Sequence, residues 1–243
     1  MSLRVTLAVA ARVLAQLRRD PRTIALIVGV PCLLEALLKE LFRGGAVFQH
    51  ADAPLLGLFP FVTMFLVTSI TMLRERTSGT LERLMTMPLA KLDLLAGYGF
   101  AFALLAVVQA AVVSLLAFGL LDLHVDGPRV VVVALAVANA VLGSALGLFV
   151  SAFAQTEFQA VQFMPAVVFP QILLCGLFAN RGDMATWLRW VSDALPLTYA
   201  YDALARTAAD TFGARFVADV FVVCACILVA LALGAATLRR RTP

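Results

Sequence analysis

The hydrophobic positions of this chain gather into long runs instead of alternating with polar ones. Five runs contain no Asp, Glu, Lys or Arg: residues 54–73, 94–121, 130–153, 158–180 and 220–238. A helix of about 20 predominantly apolar residues is long enough to cross the hydrocarbon core of a bilayer. The pattern therefore predicts a transmembrane helix for each run.

A sixth run, residues 21–42, is apolar from Thr23 through Leu34 and then carries Glu35, Lys39 and Glu40. Asp20 and Pro21 mark its start, since aspartate caps free helix amides and proline fits the first helical turn. Glu35 and Lys39 are four residues apart and share a helix face, where opposite charges can pair. We interpret this run as the first span, with its charged end near an interface or facing the bundle interior.

Residues 1–20 carry leucines, valines and alanines on one side of a helix and arginines towards the other. This pattern is typical of an amphipathic helix that lies in the membrane interface. Six spans put both termini on one side, and twelve of the arginines and lysines fall on that side, in the N-terminal segment, the 74–93 loop and the C-terminus, against six opposite. The positive-inside rule then places both termini in the cytoplasm.

The predicted fold class is an all-α membrane protein, a single transmembrane domain over residues 1–243. Two of its connections are long: the cytoplasmic loop 74–93 and the outer loop 181–219, in which we expect short helices. The composition agrees, because 62% of the residues are hydrophobic and 14% are charged, whereas a soluble domain has about 25% charged residues. A soluble enzyme, a disordered chain and a nucleic-acid binder are excluded.

The sequence has no motif for chemistry of its own. The phosphate-binding pattern G-x-x-x-x-G-K-[ST] is absent, as are H-E-x-x-H, C-x-x-C and G-x-S-x-G. The histidines, His50 and His124, lie in separate outer loops and predict no metal site. We expect a transport subunit with no bound cofactor, and an intramembrane enzyme is the weakest interpretation.

The 74–93 loop contains the signals of a short separate helix. Gly79 interrupts the helix that emerges from the second span, and Thr80 can cap a new one. Glu82 lies in its first turn, where the helix dipole favours an anion, and Pro88 helps to end it.

On this short helix Leu81, Leu84 and Met85 fall at positions i, i+3 and i+4 and form one apolar face beside Glu82 and Arg83. Such a face can insert into a groove on a partner protein. It can equally lie on lipid headgroups, and the spacing alone favours neither.

The loop resembles the cytoplasmic loop of ABC-2-type transporter permeases, which carries the run R-E-R-x-x-G-T-L-E-R-L-x-x-x-P between spans two and three. That run is complete here from Arg74 to Pro88. Residues 151–176 and 187–206 are also similar to the family's region between spans four and five and to its outer segment before the last span.

The resemblance implies the membrane half of an ATP-driven exporter of the drug- and lipid-exporting, daunorubicin-resistance kind. Such a permease pairs with a second copy or a sister permease in the cytoplasmic membrane and carries two ABC ATPase subunits, which bind ATP and magnesium. Residues 79–87 would be the coupling helix seated on the ATPase. The residues assigned to this coupling are Arg76, Gly79, Thr80, Leu81, Glu82, Arg83, Leu84, Met85 and Pro88.

The outer loop is rich in residues that favour membrane interfaces. Trp187, Trp190 and Tyr199 flank Pro196, which separates two helical stretches. Their composition predicts anchoring in the interface. The resemblance adds short helices that cap the outer end of the pathway, and both roles stay open.

The leading prediction for cargo is a hydrophobic or amphipathic compound, because no long polar lumen pattern is present. A lipid-linked polysaccharide is the alternative within the same family. A secondary transporter that runs without ATP is a different class, and Glu35 and Lys39 are the ionisable residues that speak for it.

Overall fold

In a computed structural model the structure is described for residues 3–41, 46–80 and 91–237. Their regular secondary structure is helical throughout. The elements are α1 (Leu3–Arg18), α2 (Pro21–Leu41), α3 (Ala46–Thr77), α4 (Lys91–Gly119), α5 (Arg129–Val150), α6 (Glu157–Leu174), a 3₁₀ turn (Arg181–Asp183), α7 (Thr186–Ala194), α8 (Pro196–Ala208) and α9 (Ala214–Ala236).

Four of the described helices are long and apolar enough to cross a membrane: α3, α4, α5 and α9. This confirms four of the predicted spans. Helix α2 carries four charged residues, and α6 has 18 residues that include one glutamate, three glutamines and two prolines. The spans at α2 and α6 and the orientation of the termini stay predictions.

The helix bounds differ most from the apolar runs at three places. The run predicted to end at residue 180 ends as a helix at Leu174, because Gly176 turns the chain with a φ of 111°. Helices α3 and α9 begin eight and six residues before the runs predicted to start at 54 and 220. Backbone hydrogen bonds continue past the point where apolar side chains stop, so hydropathy does not set helix ends.

Helix α3 packs along α5 at the centre of the bundle. Gly143 and Gly147 face it, one helical turn apart, and a Cβ at Gly147 would lie 2.5 Å from the Phe65 carbonyl oxygen. A Cβ at Gly143 would collide with the carbonyl oxygen of Phe61. Small residues at this spacing let two membrane helices approach backbone to backbone.

The start of α2 follows the predicted cap. The Oδ1 atom of Asp20 accepts from the amides of Arg22 and Thr23 at 3.2 and 3.3 Å, and the Thr23 hydroxyl donates to Oδ2 at 2.7 Å. The hydrogen bond from Thr23 is the largest cause that lowers the pKa of Asp20.

A proline inside α2 is used to join it to α4. Pro31 has no amide hydrogen, so the carbonyl of Ile27 lacks its usual helical donor. The buried amide of Gln109 donates to that carbonyl oxygen at 2.8 Å. The polar Gln109 side chain therefore makes a hydrogen bond between two helices.

Candidate functional site

A group of polar side chains lies at the end of the bundle where α3 ends and α4 begins. We call Arg12, Gln16, Glu75 and Tyr98 the Glu75 cluster. Its members come from α1, α3 and α4. The Glu75 residue is 7% exposed and Tyr98 is completely buried, so a carboxylate is held inside the protein directly before the predicted coupling helix.

The Glu75 carboxylate accepts hydrogen bonds from three side chains. Its Oε2 atom accepts from Arg12 Nη2 at 3.0 Å and from the Tyr98 hydroxyl at 2.9 Å, and its Oε1 atom accepts from Gln16 Nε2 at 3.2 Å. The Arg12 Nη2 atom also donates to the Tyr98 oxygen at 2.5 Å. Arg12 is therefore the counter-ion of Glu75 and also donates a hydrogen bond to Tyr98.

The position of Arg12 follows from the packing of α1. Its buried side chains are Val9, Ala10, Val13 and Leu17. They lie against α4, where Gly97 is so close that an added Cβ would be 2.6 Å from the Cβ of Val9. Sequence analysis places Arg12 towards the polar side of α1, but this packing turns it to Glu75.

The arginines on either side of Glu75 bind two further helices. Arg74 forms a bidentate pair with Glu157 of α6, at 2.7 and 2.9 Å, and Arg76 donates to the Thr237 hydroxyl, directly after α9, at 3.3 Å. Both Arg74 and Glu157 are more than half exposed. The end of α3 thus carries three consecutive charged residues with different partners. Glu75 contacts α1 and α4, Arg74 contacts α6, and Arg76 contacts the end of α9.

Helix α3 ends where the sequence predicts an interruption. Its last residue is Thr77, and Gly79 takes a left-handed φ of 71°. The Ser78 and Thr80 hydroxyls are hydrogen-bonded at 2.9 Å. The other predicted coupling residues, Leu81, Glu82, Arg83, Leu84, Met85 and Pro88, lie outside the described residues, so their role stays a prediction.

A polar cleft of about 250 Å³ opens beside this end of α3, between it, the end of α1 and the start of α2. Its walls include Gln16, Asp20, Thr23, Arg74, Glu75 and Thr80. The cleft places the Glu75 cluster next to the surface from which the predicted coupling segment continues.

The outer segment is organised around Arg181. Its Nη1 atom binds Asp202 of α8 at 2.8 Å, and its Nη2 atom pairs with Asp193 of α7. Arg189 donates back to the carbonyl oxygens of Arg181 and Gly182, at 3.3 and 2.9 Å. We call Arg181, Asp193 and Asp202 the Arg181 cluster; it fixes the two short helices to the 3₁₀ turn that follows α6.

The predicted outer-gate residues fall on these short helices. Helix α8 begins at Pro196, as predicted, and the Tyr199 hydroxyl donates to the Asp193 carbonyl at 2.6 Å. Trp187 and Trp190 share one face of α7 and are 63% and 71% exposed. This geometry is compatible with interface anchoring, and the gate role stays a prediction.

Burial changes the acidity of Asp202 in the Arg181 cluster. Desolvation is the largest cause and raises the pKa of Asp202, and the nearby Arg181 charge opposes it by favouring the carboxylate. Burial also raises the pKa of Tyr201. Asp202 therefore binds its proton more tightly in the folded protein than an exposed aspartate does.

Sequence analysis does not identify Arg12, Glu75 or Tyr98 as functional. One signal was available: Glu75 follows the buried Met72 by three residues, which continues the inward face of α3 past the apolar run. A charged residue on such a face predicts a buried partner. No spacing rule could name Arg12, 63 residues away.

Comparison with known proteins gives the family. The sequence model of the family described as "ABC-2 type transporter" matches residues 4–209. The chain is 27% identical over 147 residues to ABC transporter G family member 20 of Dictyostelium discoideum, covering 60% of this chain and 20% of that protein.

A second relative is the probable multidrug ABC transporter permease YbhR of Escherichia coli strain K12. Here the identity is 24% over 148 residues, which cover 61% of this chain and 40% of the relative. The match therefore spans less than half the length of either relative. Since the family model covers most of the residues that build the inner end and the outer segment, the chain belongs to the ABC-2 type transporter family.

Proposed function

We propose that this chain is the membrane-spanning permease subunit of an ATP-binding-cassette exporter, driven by a separate cytoplasmic ATPase. The observation that carries the proposal is the Glu75 cluster. It joins α1, α3 and α4 directly before the segment that resembles the family's coupling helix. Family membership supports the same assignment.

The mechanism follows from the contacts at the end of α3. A force on residues 79–87 from an ATPase reaches α3 through Gly79. Because Arg74, Glu75 and Arg76 bind different helices, a tilt of this end moves the bundle as packed helices rather than one helix alone. Interfaces of this kind shift between discrete packings, which is how a local push becomes alternating access.

The proposed cargo is a hydrophobic or amphipathic compound, a drug, an antibiotic or a lipid, moved outwards across the cytoplasmic membrane. The five apolar runs carry no charged residue that could bind a hydrophilic solute. Of their buried polar side chains, Gln109 donates to the α2 backbone at 2.8 Å and Ser144 donates to the carbonyl oxygen of Ala140 at 3.0 Å. The multidrug name of one relative supports this choice. A lipid-linked polysaccharide is the alternative.

A second permease copy completes the proposed machine. Large apolar side chains of α6, Phe158, Phe169 and Leu173, are exposed, and such a surface lies against either lipid or another span. Pairing through membrane helices would leave each coupling segment free to contact its own ATPase.

The test is co-purification of the tagged chain, from mild detergent, with assay of the eluate for ATPase activity. We expect a soluble ATPase in the eluate and its loss in Leu84→Asp, which puts a charge on the apolar face of the predicted coupling helix. Gly79→Pro should uncouple hydrolysis from transport while the protein still inserts, because proline cannot adopt a φ of 71°.

Two matched variants control this test. Gly79→Asn tolerates the left-handed conformation and should keep coupling, and Leu84→Met keeps the apolar face. Normal transport by Leu84→Asp would contradict the coupling role. Recovery of an active chain without any ATPase would instead favour a secondary transporter.

That alternative has one structural observation in its favour. Glu35 lies in the predicted first span and is 4% exposed, and buried carboxylates within spans are typical of ion-driven transport. Glu35→Gln separates the two functions. Export that loses its proton dependence would support the secondary transporter, and unchanged ATP-driven export would reject it.

A further inference from the structure

One half of α1 packs against the bundle, and the other half is exposed. The buried half faces α4, as described above. On the exposed half, Leu3 and Leu7 are 74% and 46% exposed, although both are large apolar side chains. Arg4, Ala11 and Arg18 are exposed as well. The exposed half of α1 therefore mixes apolar and cationic side chains.

These exposed residues are sorted into two strips along α1. Arg4, Ala11 and Arg18 recur every seven residues, which is about two helical turns, so they form one strip, which we call the arginine strip. Leu3 and Leu7 are one turn apart on the neighbouring strip, the leucine strip, which lies between the arginine strip and the buried half. The exposed half of α1 is therefore amphipathic in its own right.

The exposed arginines carry charge that the protein does not compensate. Within the described part of the chain, no hydrogen bond or ion pair engages the guanidinium group of Arg4 or Arg18. The same holds for Arg19 and Arg22, which are exposed at the corner between α1 and α2. Arg12 on the same helix differs, because it is turned inwards and ion-paired. Four unpaired cations along α1 and this corner favour an anionic partner.

The level of α1 along the bundle favours membrane lipid as that partner. Helix α4 is long and apolar enough to cross a membrane from Asp93 to Gly119. Gly97, which contacts Val9 of α1, lies four residues into this stretch, about 6 Å along the helix axis. Interfacial amphipathic helices lie about 5–10 Å into the boundary between headgroups and acyl chains. An ATPase on the predicted coupling segment would lie beyond the end of α4, whereas α1 lies along its side.

We propose that the exposed half of α1 binds anionic phospholipid headgroups, with the leucine strip among the acyl chains and Arg4 and Arg18 on lipid phosphates. Guanidinium groups suit phosphate oxygens because their N–H donors lie in one plane as a fork. Arg19 and Arg22 extend the cationic surface to the start of α2. The proposal adds a lipid class to the interfacial position that the sequence predicts, and it does not depend on the proposed ATPase coupling.

The experiment is hydrogen–deuterium exchange of the purified full chain, without ATPase, in nanodiscs of phosphatidylcholine alone or mixed with phosphatidylglycerol. Exchange of the α1 amides measures how readily this helix opens, and the amides of α5 are the internal reference. Phosphatidylglycerol should slow exchange in α1 about five-fold or more, the factor that corresponds to one basic residue beside an anionic surface. It should leave α5 unchanged. High salt should reduce the difference, because exposed charges are screened.

Variants separate the charge on α1 from charge elsewhere in the protein. Arg4→Gln combined with Arg18→Gln should lose the dependence on phosphatidylglycerol. Arg4→Lys combined with Arg18→Lys should retain it, because lysine keeps the positive charge. Arg215→Gln is the matched control: it removes an exposed arginine from the start of α9, and its α1 should respond to phosphatidylglycerol as in the wild-type protein.

Equal exchange of the wild-type α1 in the two membranes would overturn the proposal, and this comparison needs no variant to fold. Loss of the lipid dependence in Arg215→Gln would also overturn it, because the effect would then follow net charge instead of α1. Protection of α1 that appears only when a co-purified ATPase is added would assign the surface to that protein and reject the lipid. Because the lipid comparison contains no ATPase, its result is independent of the co-purification test.

Discussion

The two ends of the molecule each contain an arginine–carboxylate cluster, built in opposite ways. In the Glu75 cluster one carboxylate is shared by donors from α1 and α4, 63, 59 and 23 residues away in sequence. In the Arg181 cluster one guanidinium is shared by two carboxylates only 12 and 21 residues further along the chain. The Arg12 and Gln16 bonds of the first cluster close loops of 63 and 59 residues, whereas both bonds of the second close short loops.

Burial differs in the same direction. The Glu75 side chain is 8% exposed, whereas those of Asp193 and Asp202 are 47% and 22% exposed. A buried charge depends on its partners, because removing one leaves the other desolvated and unpaired. The comparison teaches that the Glu75 cluster fixes the packing of whole helices against one another, while the Arg181 cluster stabilises one local segment.

Helix α3 connects the two regions. Glu75 lies near one end of it, and near the other end Gly57 packs so closely against α8 that an added Cβ would be 2.5 Å from Leu204 Cδ1. Between them α3 contacts α5 at Gly143 and Gly147. Variants at the α3–α5 contact, in the Glu75 cluster and in the Arg181 cluster test the comparison at decreasing expected effect.

The largest effect is expected from Gly143→Leu, which forces α5 away from α3 and so disturbs both ends. Overpacking of this kind costs about 3 kcal/mol, measured as the loss of thermal stability in detergent. Gly29→Leu is the control, because nothing lies within 4 Å of a Cβ at that exposed glycine of α2. Equal stability of the two variants would contradict the central packing of α3 on α5.

A smaller effect is expected from Glu75→Gln, which leaves the Arg12 guanidinium without its counter-ion. Loss of hydrogen bonds to a charged group costs about 2 kcal/mol, and export should fall about ten-fold because coupling energies within such networks reach this size. The measurements are thermal unfolding and the ratio of transport to ATP hydrolysis.

The matched control is Glu157→Gln, which breaks the exposed pair with Arg74 at the same end of α3. This pair involves neither Arg12 nor Tyr98. An exposed pair contributes about 0–1 kcal/mol, so this variant should stay close to the wild-type protein. If it loses as much stability and coupling as Glu75→Gln, burial does not distinguish the two pairs.

The smallest effect is expected from Asp202→Asn in the Arg181 cluster, and it depends on pH. The folded-state pKa of Asp202 is raised by burial, so the folded chain binds this proton more tightly than the unfolded chain does. The contribution of this group to stability is therefore fully present below the unfolded pKa and is lost as pH rises through the folded one.

Thermal unfolding of both proteins across the acidic range measures this effect as a difference. The stability of the wild-type protein relative to Asp202→Asn should increase as the pH falls. A difference that shrinks on acidification would mean that the Arg181 charge outweighs the burial of Asp202.

The sequence predicts much of the fold because an apolar run marks where a membrane helix lies, although not where it ends. The runs at 94–121 and 130–153 correspond to α4 and α5, and the cap at Asp20 is confirmed in its atoms. The sequence also predicts the interruption at Gly79, since glycine is the residue that most readily adopts a left-handed backbone conformation. The G-x-x-x-G spacing of Gly143 and Gly147 is readable in the sequence but does not name its partner helix.

What the sequence by itself determined is local or one-dimensional: the all-helical membrane class, four spans, the end of α3 and, through the R-E-R run, the family. What only the tertiary structure decided is the partner of each buried polar group, Arg12 with Glu75, Gln109 with Ile27 and Arg76 with Thr237. The physical reason is that hydropathy and capping depend on neighbours along the chain, whereas a buried charge or amide is satisfied by whichever helix the packing brings within hydrogen-bond distance.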